Sequence, residues 1–328
     1  TDEADPANSK LEVVNLKIKA NNYNVLVKPH QESMKLVVSS LSDYFGFLKA
    51  SVDPETKEKS AVECPTALVT KQAWSVDKTT FTLEINMLEP EGLFGFRKNN
   101  TLYIDVPFQV GNHVVKYNLD ITTGNKDITF KAGTLVTKTA GVEKTQTLPL
   151  NIDSMVLNTN KGDAIISGIG STIDKLDKET TVDKLDISTN GGTFDFSAYD
   201  VITVKTNKLS LTSKNANYKF KKLVAEEGIE VVGNNVKLDA DEIHCGKRGF
   251  LYKADTGALR IGILNSSNMV RITDGETYNY KLPVDESLKL VYENSIFTKS
   301  SDIEINEVVG KVGLVNTYGN VNIGHLSH

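Results

Sequence analysis

Short runs of alternating apolar and polar residues, each entered through a turn rich in Asn, Gly, Asp or Lys, recur down this chain. The clearest copies are NTNKGDAIISGI (158–169), STNGGTFDFSAY (188–199), VVGNNVKLDADE (231–242), KADTGALRIGIL (253–264), TDGETYNYKLPV (273–284) and NTYGNVNIGHLS (316–327). Alternation with period two predicts strands with one buried and one solvated face. Successive copies start about 19 to 30 residues apart, a step shorter than a βαβ unit of roughly 30 or more residues and suited to one coil of a β-solenoid. The expected fold is therefore all-β: a single-chain β-solenoid, or β-helix, with an N-terminal β cap region.

Three stretches follow from the same pattern. Residues 1–10 are acidic and polar and read as a flexible lead-in. Residues 11–110 read as a β capping region continuous with the solenoid, with strands expected at 11–20, 23–30, 34–42, 79–88 and 101–110. In the fourth of these, Phe81, Leu83 and Ile85 share one face, and in the last Pro107 suits an edge or a corner. Residues 111–328 read as the repeats. Within them Ala164, Ile166 and Gly168 are expected to point inward, as are Phe194, Phe196 and Ala198. The Phe194/Phe196 pair calls for smaller residues in neighbouring repeats if the interior is to stay dense. TIDKLD (172–177) and TVDKLD (181–186) read as a turn or a corner, and the interval from Ala132 to Asn158 departs from the regular step.

Composition narrows the function. Hydrophobic residues make up 39% of the chain, enough for a sizeable core, and the formal net charge is only -5. Lys and Asp alternate along strands without a basic stripe, which argues against nucleic acid as a partner. No run approaches the roughly 18 apolar residues of a spanning helix. The start TDEADPANSK lacks Met and reads as a processed or trimmed product whose signal or anchor lies outside this chain. Cys64 and Cys245 form no CxxC pair, and a disulfide between them or separate thiols both remain open.

Few residues suggest chemistry. His244 and Cys245 are adjacent in a strand and so face opposite ways, which is wrong for a nucleophile and its base. Asp239 and Asp241 share a face, with Lys219 or Lys237 placed to balance them. No Ca²⁺-loop motif and no dinucleotide fingerprint occurs. No catalytic, cofactor-binding or metal-ligating residue is assigned, no cofactor is expected, and the chain is read as not an enzyme. The candidate interaction surface is Leu93, Phe94 and Phe96 in the loop EPEGLFGFRKNN, together with Tyr278 and Tyr280. The aromatic loop has two readings, a flap over the end of the stack or an adhesive tip. The alternative function is a carbohydrate-active β-helix enzyme or a glycan-binding module. As an enzyme it needs two carboxylates about 5 to 9 Å apart across a cleft, or a basic residue with Arg partners.

The opening strand pair IKANNYNVLVKP (18–29), the segment LEINMLEPEGLFGFRKNNTLYIDVP (83–107) and the turn-strand repeats after it resemble the bacterial adhesin-like β-helical domains of cell-envelope proteins. The resemblance runs from about residue 11 to the end. It implies a right-handed or similarly compact β-helix on the cell surface, a signal or anchor on the precursor, and a structural or interaction role. Its partners would be another protein, an envelope polymer, or a second copy met through the solenoid ends. No catalytic residue is transferred by it.

Overall fold

The computed structural model describes residues 10–31, 37–41, 67–87, 101–205, 209–267 and 293–327. The regular elements among these residues are all β-strands, in long runs of consecutively hydrogen-bonded parallel pairs, a solenoid-like arrangement. The chain divides into two compact units, residues 1–177 and 178–328.

The first unit holds β1 (Val13–Ala20), β2 (Asn24–His30), β3 (Val37–Leu41), β4 (Ala67–Trp74), β5 (Thr80–Met87), β6 (Thr101–Pro107), β7 (Gln109–Val110), β8 (His113–Val114), β9 (Lys116–Thr123), β10 (Ile128–Phe130), β11 (Gly133–Thr139), β12 (Val142–Leu148), β13 (Ile152–Thr159) and β14 (Ala164–Ile166). Two parallel ladders organise it. One runs β5, β1, β9, β13, and the other β6, β2, β10, β14. Alternation explains the register: Leu16 lies level with Leu83 and Leu119, and Ile18 with Ile85 and Ile121, all of them buried. A slip of one residue would turn each of these side chains to solvent.

Chain order and spatial order differ here. The first strands, β1 and β2, sit between β5/β6 and β9/β10, while β4 and β3 pair antiparallel with the outer sides of β5 and β6. Antiparallel strands at those places break the parallel template that an exposed edge would otherwise offer. Pro107 ends β6, and its carbonyl accepts the hydroxyl hydrogen of buried Tyr117.

The corners repeat a hydrogen-bonding device. The Asp127 N–H donates to Asn24 Oδ1 at 2.9 Å, and the Asp163 N–H donates to Asp127 Oδ1 at 2.8 Å. Inside the same turns, Thr123 Oγ1 donates to the Lys126 carbonyl at 2.6 Å and Thr159 Oγ1 to the Gly162 carbonyl at 3.1 Å. Short polar side chains thus satisfy turn backbone that the ladders leave unpaired.

The irregular interval after Ala132 is an inserted hairpin. Strands β11 and β12 pair only with each other, around Ala140 and Gly141 at φ of 52° and 82°, the paired positive φ that a two-residue turn joining twisted strands requires. Leu119 lies level with Met155, 36 residues later; the hairpin Gly133–Leu148 takes up 16 of these and leaves a step of 20. The first TIDKLD copy is a turn, with Asp174 at φ 60°.

The second unit holds β15 (Glu179–Val182), β16 (Lys184–Thr189), β17 (Thr193–Asp195), β18 (Val201–Val204), β19 (Leu209–Ala225), β20 (Ile229–Cys245), β21 (Phe250–Asn265), β22 (Asn294–Val309), β23 (Val312–Tyr318) and β24 (Val321–Ser327). The second Asp-rich copy therefore spans the break between β15 and β16. Strands β16, β17 and β18 lie on successive parts of β19, which pairs in parallel with β20, β20 with β21, β21 with β22, and β22 with β23 and β24. Leu209 is level with Ile229, 20 residues on, and Ile229 with Phe250, 21 residues on.

Burial alternates along β19 and β20 but skips a beat twice, at Lys214–Asn215 and Lys221–Lys222 in β19 and at Asn234–Asn235 and Asp241–Glu242 in β20. Two neighbouring outward side chains mark each skip, so the strand divides into three segments with a common buried side. Inward positions stack in columns: Leu211, Val231, Tyr252, Ile296; Tyr218, Leu238, Leu259, Ile303; Phe220, Ala240, Ile261, Ile305. Close stacking leaves no room at Gly257, where φ is 138° and a Cβ would lie 1.9 Å from the Val236 carbonyl oxygen. Phe194 and Phe196 are buried as expected, but Ala198 is exposed. Asp195 Oδ1 accepts from the Ser197 N–H at 2.9 Å and turns the chain before Ala198 can point inward.

Candidate functional site

The second unit carries an outer groove of about 560 Å³ along its first segments. One outward column supplies Thr212, Val232, Lys253, Phe297 and Val315, brought level by the parallel registers of β19 through β23. Asn234, Asp255, Lys299 and Thr317 line it from the neighbouring corner. Val232, Phe297 and Val315 give an apolar floor, with Phe297 nearly buried. Lys299 Nζ lies 2.9 Å from Asp255 Oδ1, so one cation and one carboxylate neutralise each other at the rim. Lys253 adds a cation, while Asn234, Thr212 and Thr317 add neutral donors and acceptors. Asp255 is the single carboxylate in this lining.

A smaller groove of about 200 Å³ lies on the outer face of β5, β1, β9 and β13 in the first unit. A side-chain chain crosses it. Asn15 Nδ2 donates to Thr82 Oγ1 at 3.2 Å, Asn118 Nδ2 to Asn15 Oδ1 at 2.8 Å, and Ser154 Oγ to Asn118 Oδ1 at 3.0 Å. These groups are already satisfied by one another, and Lys17 sits 3.9 Å from Asp120 beside them. The ladder ties four strands together and leaves less free hydrogen-bonding capacity for a ligand than the larger groove does.

Leu93, Phe94, Phe96, Tyr278 and Tyr280, the surface expected from the sequence, lie outside the described residues, as does Cys64. The remaining candidates are placed. Cys245 is buried, and burial pushes its thiol up to about 12, so it carries little thiolate near neutrality. His244 faces the other way, its Nε2 2.9 Å from Glu242 Oε2, while Lys222 Nζ reaches the same oxygen at 2.8 Å. Lys222 first and His244 second hold the Glu242 carboxyl below its ordinary value of 4.5. Asp239 stands in an outward column between Lys219 and Arg260, with Glu304 beyond, a row of alternating charge. Tyr199, Tyr218 and Tyr252 are buried packing residues. Among the described residues no cluster of three or more His, Cys, Asp or Glu is arranged to hold a metal, and no helix is long and apolar enough to cross a membrane.

The groove residues escaped the sequence reading because they are scattered from 212 to 317. Their one shared signal is register: Val232 and Lys253 stand 21 residues apart and Phe297 and Val315 stand 18 apart, each at the offset of its own strand pair. No protein-family model, curated protein or solved structure matches this chain.

Proposed function

We propose that the chain is a β-solenoid scaffold of the adhesin-like, cell-envelope type, displayed at the cell surface, and that it recognises an extended partner without turning it over. The partner is an envelope polymer or a protein segment laid along the groove of the second unit. One observation carries this reading: five parallel strands bring Thr212, Val232, Lys253, Phe297 and Val315 into a single column. At a strand spacing of about 4.8 Å that column is roughly 19 Å long, the scale of several residues of a linear chain. A backbone ladder fixes every position before binding, so little conformational freedom is lost when a partner arrives.

The lining chemistry supports binding over hydrolysis. A glycosidase needs two carboxylates facing each other across the bond to be cut, and this groove offers Asp255, already ion-paired with Lys299. The apolar floor with an amide and hydroxyl rim suits the alternating apolar and polar faces of a polymer.

A panel of soluble glycans and envelope polymers, titrated against the full chain and monitored for cleavage products, tests the reading. Binding of a linear polymer that is lost in Val232→Lys and weakened in Lys253→Ala, with the polymer recovered intact, supports it. Binding indifferent to both substitutions, or release of shortened products, overturns it.

A further inference from the structure

Charge is unevenly placed in the groove of the second unit. Its charged lining residues are Lys253, Lys299 and Asp255, so two lysines against one aspartate leave one excess positive charge, on a chain whose formal net charge is -5. Asp255 is taken up by Lys299 at 2.9 Å, and among the described residues no carboxylate pairs with exposed Lys253. Two valines flank that lysine. Val232 lies one strand before it and Val315 two strands after it, so the valines stand three strand steps, about 14 Å, apart. Phe297, on the strand between, is only 8% exposed and offers little ring face on which a sugar could stack.

We infer that the occupant of this groove is an extended peptide segment with one acidic side chain set between two apolar ones, each two residues away; this rests on the groove reading above and narrows its partner. An extended chain turns every second side chain to the same face, about 6.8 Å apart, so side chains i and i+4 span about 13.6 Å and meet Val232 and Val315 together when the segment lies across the strands. The side chain at i+2 then comes down about 2 Å beyond the row of Lys253, within reach of its ammonium. Asn234, Thr212 and Thr317 supply donors and acceptors for the peptide backbone. A polymer with an anion on every sugar fits less well. One unpaired lysine matches one carboxylate, and further anions along the row would lie over Phe297 and Val315 or beside Asp255, on a chain that is negative as a whole.

Isothermal titration calorimetry of the full chain tests it, with a peptide capped at both ends that carries Val, Glu and Val at every second position and Ser elsewhere. The expected result is saturable binding that weakens about three- to fivefold when Gln replaces the peptide's Glu, the scale of one exposed ion pair. Lys253→Glu weakens binding of the Glu peptide at least about tenfold and restores it for a peptide with Lys in that place, because like charges then become opposite ones. Lys253→Gln serves if the charge reversal does not fold, and it should bind the Glu and Gln peptides alike. A neutral linear glycan and a polyuronate are titrated in parallel. Equal affinity of the unaltered chain for the Glu and Gln peptides, or a charge exchange without rescue, overturns the inference. Binding of a sugar polymer that Val232→Lys abolishes, with no binding of the peptide, overturns it too but leaves the groove reading in place. No binding of peptide or polymer overturns both.

Discussion

Phe196 lies flat on Phe220, ring centroids 5.1 Å apart and planes only 5° from parallel. Beside this pair Phe194 meets Tyr218 at 5.7 Å, so aromatic side chains occupy the same inward places in successive repeats. The smaller residues that dense packing requires come one repeat later, as Leu238 and Ala240, level with Tyr218 and Phe220. Replacing Phe220 with Ala leaves Phe196 facing a void above Ala240. A cost of about 3 to 5 kcal/mol is expected for a buried Phe truncated where neighbours cannot close the gap. A urea titration followed by far-UV circular dichroism checks this, with Phe81→Ala at a half-buried ring as the milder comparison.

The corner stack of Asn24, Asp127 and Asp163 depends on side-chain oxygens that accept backbone N–H groups of the next turn. Asp127→Ala removes the acceptor for Asp163 and is expected to cost about 1 kcal/mol. Asp127→Asn keeps an oxygen in place, as Asn24 already does, and should be close to neutral. Amide exchange at Asp163 distinguishes the two, accelerating in the alanine variant only.

Asp174 fastens the base of the inserted hairpin. Its Oδ2 accepts from Gln146 Nε2 at 3.0 Å and its Oδ1 from the Thr147 N–H at 2.7 Å. These bonds, Gln146 first and Thr147 next, hold its carboxyl below the ordinary value of 3.8. A depressed folded-state value means the contribution is complete above 3.8 and is lost as pH falls through the lower folded value. Exchange at the Thr147 amide should therefore show an added acceleration below about pH 4, beyond the intrinsic pH dependence of exchange. In Asp174→Asn that extra step should vanish, and its persistence would show that another group governs the hairpin.

Two glycines separate backbone conformation from crowding. Gly257→Ala forces a Cβ against the Val236 carbonyl at a φ of 138° and should destabilise by at least about 2 kcal/mol. Gly141→Ala, at φ 82° with open space around it, carries only the left-handed backbone penalty of about 1 kcal/mol. Equal losses in thermal melts of the two variants would remove the close approach between β20 and β21 from the explanation.

Period-two alternation made the interior legible even where strands are short: Leu83, Ile85, Ala164, Ile166, Phe194 and Phe196 all face inward as the pattern requires. The opposite directions of His244 and Cys245 follow from the same rule. Other features depend on contacts that no local pattern encodes. The insertion of β1 and β2 between later strands is decided by long-range pairing. The β11–β12 hairpin is mostly polar and leaves Val136 and Val142 exposed, so its residues show no buried stripe. Ala198 continues the alternation in sequence, but the Asp195 to Ser197 turn diverts it. The larger groove was illegible because its walls come from strands brought together only by the register of the stack.

That register underlies the groove, and a cysteine pair reads it directly. Val232 and Lys253 are level on adjacent parallel strands and both face outward, a spacing within the roughly 4.4 to 6.8 Å between Cα atoms that a disulfide spans. The measurement is peptide mapping after mild oxidation of two double variants, Val232→Cys with Lys253→Cys and Val232→Cys with Asp255→Cys. The account predicts a 232–253 disulfide in high yield and little linkage in the shifted pair. Equal yields from both, or no linkage at 232–253, would contradict the stacked parallel repeat on which the proposed function stands.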